Sequence, residues 1–142
     1  MKTLALFFAF ITLHTLNAQQ TPKDTSGITI DVVIENITNN NGKVLLSLNT
    51  KDTFMKGMGI MNLQSDIKDG KIHVQFTNVQ PGEYAIVALH DENNNKRMDF
   101  DTGGMPMESY GMSNNEMTYG PPQFSDAKFI VENKDLALNI RF

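Results

Sequence analysis

A period-two alternation of apolar and polar residues runs through much of this chain, and it restricts the possible folds more than any other feature. Every second residue is apolar in four stretches, at residues 28–34, 44–48, 72–76 and 136–142. Because successive side chains of a strand point to opposite faces, each stretch predicts a β-strand with one buried face. No amphipathic helix of three turns is indicated after residue 27, so the pattern favours an all-β protein.

Turn signals separate these predicted strands. Asn-Gly at 41–42, Asp-Gly at 69–70 and Pro-Gly at 81–82 lie between apolar stretches, where such pairs favour tight turns. Residues 84–89 are apolar on both faces, which indicates a central strand, and residues 128–131 begin a closing pair of strands. We therefore predict an antiparallel, immunoglobulin-like sandwich of about seven strands.

One long irregular stretch interrupts the alternation at about residues 90–127. It contains Gly103-Gly104, Gly111 and Pro121-Pro122 and has no sustained periodicity. A loop of that length is uncommon in a compact domain and is usually functional, so we expect the functional residues to lie in this stretch. Residues 51–70 are compatible with either a short strand or a loop.

The first 18 residues have the pattern of a secretory signal peptide. A positive residue precedes a mostly apolar run at 4–16, and Ala18 provides a small residue for cleavage. The run is shorter than the ~20 apolar residues that a transmembrane helix needs. We predict a signal peptide at 1–18, a flexible leader at 19–27 and a single β-sandwich domain at 28–142. The mature chain is then periplasmic or extracellular and has no membrane span.

Charge and cysteine content exclude several classes of function. The chain has 12 basic and 16 acidic residues, a net charge of −4, so it lacks the basic surface that a nucleic-acid-binding module needs. It has no cysteine, which excludes disulfides, thiolate zinc sites, iron–sulfur clusters and cysteine nucleophiles. An exported chain of this kind depends for its stability on its core, or on a core and a bound metal.

A calcium-loop spacing begins at the end of the predicted central strand. Oxygen-bearing residues occupy relative positions 1, 3, 5 and 9 of this segment. EF-hand-type loops use such a spacing because Ca²⁺ takes six to eight oxygen ligands. Because the side-chain ligands carry only two formal charges, the expected dissociation constant is that of extracellular modules, about 10⁻⁴–10⁻³ M. The predicted metal ligands are Asp91, Asn93, Asn95, Asp99 and the backbone carbonyl of Arg97.

Two positions depart from the usual calcium loop. Lys96 stands at position 6, where glycine usually makes a left-handed turn, and Thr102 stands at position 12, where a bidentate glutamate is usual. Asp101 or Glu108 would then complete the coordination shell. The alternative interpretation is a solvated, Asn-rich turn without metal, because Asn and Asp favour turns in any case.

Four motifs in a fixed order resemble a known bacterial family. They are PGEYAI at 81–86, HDENxN at 90–95, GMPxExYGxSNN at 104–115 and PPxFxDAxF at 121–129. They make residues 28–142 similar to the secreted family called domain of unknown function 2141 (DUF2141), whose members usually carry glycine where Lys96 stands. The resemblance implies a prealbumin-like sandwich, distantly similar to collagen-adhesin B-type repeats, and it implies no enzyme.

The favoured function is an exported, non-enzymatic binding or structural module of the cell envelope that contains a calcium loop, with an envelope protein or a glycan as partner. No catalytic residue is assigned. One alternative is a glycan- or protein-binding domain without metal. Another is an uncharacterised enzyme that uses His90 with Ser109 or Ser113, although no nucleophile-elbow motif accompanies them. Met105 and Met107 leave a copper site as a minor alternative, because thioethers bind soft metals.

Overall fold

The computed structural model describes residues 27–116 and 120–142. The predicted signal peptide at 1–18 lies outside the described residues, as does the leader at 19–27 except for its last residue. In the described part, one short helix, α1 (Phe124–Ala127), and a 3-10 segment (Ser113–Asn115) accompany eight strands. The strands are β1 (Ile28–Ile34), β2 (Lys43–Asn49), β3 (Met61–Ser65), β4 (Ile72–Val79), β5 (Gly82–Asp91), β6 (Tyr110–Met112), β7 (Phe129–Val131) and β8 (Leu136–Ile140).

The strands form two sheets. The smaller sheet has the order β4-β1-β8, and the larger has the order β3-β2-β5-β6, with β7 also paired to β5. Their pairs are antiparallel except that of β1 with β8, which is parallel. The all-β sandwich and the central position of β5 are confirmed, whereas the prealbumin-like arrangement stays a prediction. In the same described ranges, no helix combines the length and apolar character needed to cross a bilayer.

One apolar core lies between the two sheets. Alternate residues of β1 are buried, and β2 repeats the alternation, as the sequence predicts. Phe76 of β4 is the largest of the fully buried side chains. Burial of each large apolar side chain contributes about 1.5–3 kcal/mol, so this core stabilises the fold. Its fully buried members include Ile30, Val32, Ile34, Val44, Leu48, Phe76, Ile86 and Ile140.

The stretch at about 90–127 is less irregular than the sequence predicts. Strand β5 continues to Asp91, and both β6 and α1 lie within the stretch. Strand β6 has too few residues to show an alternation, and it forms through its pairing with β5. At Gly111, an added Cβ would lie 2.1 Å from the Arg141 carbonyl oxygen, so glycine permits a close backbone approach there. Residues 51–70, where the sequence is compatible with a strand or a loop, contain strand β3.

A second apolar cluster covers part of the outer face of the larger sheet. The rings of Phe54 and Phe124 meet edge to face, with their centroids 5.8 Å apart. Phe54 comes from the connection between β2 and β3, whereas Phe124 begins α1. The buried members of this cluster are Phe54, Ala85, Met112 and Ala127.

Phe76→Ala tests the position of the main core. Phe76 is fully buried, so we expect its truncation to lower the free energy of unfolding by about 3–5 kcal/mol. Phe100→Ala is the matched control, because Phe100 is 58% exposed and its truncation should change that free energy by about 0.5 kcal/mol or less. Urea unfolding followed by circular dichroism measures both variants. Equal losses would contradict the described core.

Candidate functional site

The predicted metal-binding segment begins at the buried end of β5. Asp91 is the last residue of that strand, pairs with Lys43 of β2 and is only 1% exposed. Its Oδ1 accepts the backbone N–H of Asn95 at 3.0 Å, and its Oδ2 accepts that of Lys96 at 2.9 Å. One buried carboxylate therefore folds the following residues back onto the strand end. We call residues 91–99 the 91–99 loop.

Two residues of the 91–99 loop have left-handed backbone conformations. The φ angle is 60° at Asn94 and 64° at Lys96. Asn tolerates this region well, but other L-residues lose roughly 1–2 kcal/mol there. At position 6 the loop thus makes the turn for which calcium-binding loops use glycine, with Lys96 in its place.

Three side chains of the loop meet at one carboxylate oxygen. Nδ2 of Asn93 and Nδ2 of Asn95 both donate to Oδ2 of Asp99, at 2.6 and 2.7 Å. The carboxamide oxygens of the two asparagines accept the backbone N–H groups of Asn95 and Arg97, each at 3.0 Å. The structure thus brings these three predicted ligands to one point, whereas both oxygens of Asp91 accept backbone N–H groups.

The Arg97 side chain also approaches this point. Its Nε lies 3.5 Å from Oδ1 of Asp99, and the side chain is 76% exposed, so this ion pair is a weak one. Across residues 27–116 and 120–142, no three His, Asp or Glu side chains form a group that holds a metal. A cation in the loop would therefore depend on carboxamide and carbonyl oxygens as well as on carboxylates.

Glu108 holds the two ends of the loop together. Its Oε1 accepts the backbone N–H of Glu92 at 3.0 Å, and its Oε2 accepts that of Asp99 at 3.2 Å. Asp101, the other residue expected to complete the shell, closes its own turn instead. Its Oδ1 accepts the backbone N–H groups of Gly103 and Met105. Of these two candidates, Glu108 is the one that contacts the loop.

The connection between β1 and β2 supports the same loop, which the sequence does not reveal. Nδ2 of Asn39 donates to Oε2 of Glu92 at 3.1 Å. At Gly42, where φ is 63°, an added Cβ would lie 1.9 Å from the Asp91 carbonyl oxygen. The Asn-Gly signal predicts the turn at 41–42, but only the pairing of β2 with β5 places that turn beside Asp91.

His90 packs as part of the fold. Its side chain is fully buried, its ring stacks on Phe142, and Nε2 donates to the Asn41 carbonyl oxygen at 2.8 Å. Nδ1 has no hydrogen-bond partner among the described residues. The Ser113 hydroxyl donates to the Ala127 carbonyl and accepts the backbone N–H of Ile86. Neither ring nitrogen of His90 is therefore bonded to a serine hydroxyl.

Comparison with protein families gives a match over most of the chain. Residues 32–139 match the family described as an uncharacterized protein conserved in bacteria (DUF2141). The resemblance deduced from the four motifs is thereby confirmed, and the matched range includes the whole 91–99 loop. No curated protein and no solved structure matches the chain.

Glu108→Gln tests whether this carboxylate holds the loop. Glutamine keeps one acceptor oxygen but turns an NH₂ group towards one of the two backbone N–H donors. Hydrogen bonds to charged groups contribute about 1.5–3 kcal/mol, so we expect a loss of roughly that size in the free energy of unfolding. Glu132→Gln is the matched control at an exposed position. Equal urea midpoints for the two variants would contradict the role of Glu108.

Proposed function

The chain belongs to the DUF2141 family of proteins conserved in bacteria, and we propose that it is an exported, non-enzymatic module of the cell envelope that binds calcium in the 91–99 loop. The observation that carries this proposal is the meeting of Asn93, Asn95 and Asp99 at one point. Export is proposed from the signal-peptide pattern at residues 1–18.

The donor chemistry at this point is suited to a hard cation. Rotating each asparagine amide by half a turn directs Oδ1 at the place now reached by Nδ2, and these oxygens would then exchange the backbone N–H groups of Asn95 and Arg97 for the cation. A cation there would be held by these two oxygens and the Asp99 carboxylate, with Asp91 and the Arg97 carbonyl as further candidate donors. Oxygen donors of this kind favour Ca²⁺ over thiophilic metals.

The backbone of the loop supports the same proposal. It makes a left-handed turn at Lys96 and is closed by Asp91, which matches the turn that calcium-binding loops make at position 6. Of the five predicted ligands, only Asp91 and Asp99 bring a negative charge through their side chains, and the Arg97 side chain offsets part of it. The expected dissociation constant is therefore about 10⁻⁴–10⁻³ M, which suits calcium outside the cytoplasm.

The bound ion would stabilise a polar segment that has no disulfide to hold it.

We assign no catalytic residue, because His90 is fully buried and engaged with Asn41. A glycan or an envelope protein remains the expected partner of such a module. Met105 and Met107 are 65% and 67% exposed, and copper binding by them stays a minor alternative.

Asp99→Asn tests calcium binding. In the wild type, calcium at ten times its dissociation constant should add about 1.4 kcal/mol to the free energy of unfolding, or a few degrees in Tm. Asp99→Asn removes one of two charges and should abolish most of this increase. Asp52→Asn, at an exposed position in the connection between β2 and β3, should retain the increase in stability. Equal wild-type melting temperatures in millimolar calcium and in chelator would refute the proposal.

Substitutions at Lys96 separate backbone strain from charge. Lys96→Gly and Lys96→Gln both remove the positive charge beside the loop, so calcium should bind more tightly to both variants by a similar factor. Only glycine relieves the left-handed strain. Glycine also loses more conformational entropy on folding than glutamine does, and this offsets part of the gain. The free energy of unfolding in chelator should therefore be about 0.5–1 kcal/mol higher for Lys96→Gly than for Lys96→Gln. Equal stability of the two variants would contradict the assigned turn.

A further inference from the structure

The outer face of the larger sheet carries an apolar floor that no part of the described chain covers completely. Leu45 of β2 lies opposite Leu89 of β5, and Ser47 lies opposite Val87 one step along. These side chains alternate with buried core residues and are half-buried. On β3, Gln64 lies beside Leu45 and Asn62 lies beside Ser47. The floor is therefore apolar at its centre and bordered by side-chain amides on the β3 side.

Two connections form walls at opposite ends of this floor. Residues 50–60 leave the sheet after Asn49 and contribute Met55 and Met58, which are 57% and 79% exposed. Residues 96–98 of the 91–99 loop follow β5, whose last residue pairs with the start of β2. Together they surround an open groove of about 860 Å³. That volume lies within the 300–1,000 Å³ typical of small-molecule sites.

The charge of the groove differs from that of the whole chain. Its lining includes Lys96 and Arg97 and no acidic side chain, although the chain has a net charge of −4. Arg97 is paired with Asp99 at 3.5 Å. Lys96 makes no ion pair with any described residue. One end of an apolar groove is thus cationic, which complements an anionic group on a largely apolar ligand.

We propose that this groove binds a small amphipathic anion. The apolar body of the ligand would lie on Leu45, Val87 and Leu89, and its carboxylate or phosphate would meet Lys96 and Arg97. The flexible thioethers of Met55 and Met58 adapt to ligands of different shape. The site shares Lys96 and Arg97 with the 91–99 loop but needs no bound cation.

Titration with decanoate, decyl phosphate and decyltrimethylammonium tests the proposal. The measurement is calorimetry in chelator, below the micelle-forming concentration of each probe. We expect saturable binding of an anionic probe, at least about tenfold tighter than binding of the cationic probe. The two anionic arms distinguish a carboxylate from a phosphate head group. Lack of saturation, or equal affinity for anion and cation, would overturn the proposal.

Matched variants locate the bound anion. Lys96→Gln/Arg97→Gln should weaken decanoate binding about tenfold, whereas Lys68→Gln/Lys134→Gln, at exposed positions outside the groove, should not. Gln64→Trp fills the groove from β3 and should block binding, and Thr77→Trp on β4 serves as its control. In the wild type, amide NMR shifts should be largest at Val87 and Leu89.

The groove proposal and the calcium proposal can be refuted separately. Decanoate binding unaffected by Gln64→Trp, or NMR shifts centred elsewhere, would overturn the groove proposal. Because the titrations are made in chelator, a calcium-independent Tm would refute only the calcium proposal and leave the groove result standing.

Discussion

The Asp91 carboxylate, buried at the end of the central strand, is the group on which the shape of the following loop depends. Backbone N–H groups that leave a sheet lose their ladder partners, and hydrogen bonds from such groups to a charged acceptor contribute about 1.5–3 kcal/mol each. Asp91 accepts two of them, and Glu108 accepts two more at the edges of the same segment. Two carboxylates thus replace the regular hydrogen bonding that the segment lacks.

This arrangement also links regions that are distant in sequence. The connection between β1 and β2 reaches the loop through Asn39 and Gly42, and residues 106–108 reach it through Glu108. The pairing of β2 with β5 is what brings these segments together. The loop therefore belongs to the sandwich rather than projecting from it, and its outer residues, 96–98, form a wall of the groove.

The parts of this structure that the sequence predicts are those fixed by local pattern. The alternation at residues 28–34 and 44–48 predicts β1 and β2 with the observed buried faces. Of the side chains in the oxygen spacing, those of Asn93, Asn95 and Asp99 meet, whereas Asp91 accepts backbone N–H groups instead. Strand β6 could not be predicted, because its few residues form a strand only through contact with β5. The position of Gly42 beside Asp91 and the two hydrogen bonds that Glu108 accepts from the loop also arise from tertiary structure. Such contacts depend on sheet register, and no local spacing in the sequence encodes them.

Lys96 connects the two proposed sites and places them in opposition. Its left-handed backbone makes the turn that closes the 91–99 loop, at the expense of roughly 1–2 kcal/mol of strain. Its ammonium would repel a cation bound in the loop and would attract an anion bound in the groove that it lines. Glycine, the residue usual at this position of calcium-binding loops, would relieve the strain and favour the cation, yet it would remove the positive charge from the groove. The two proposals therefore make opposite demands on this one side chain.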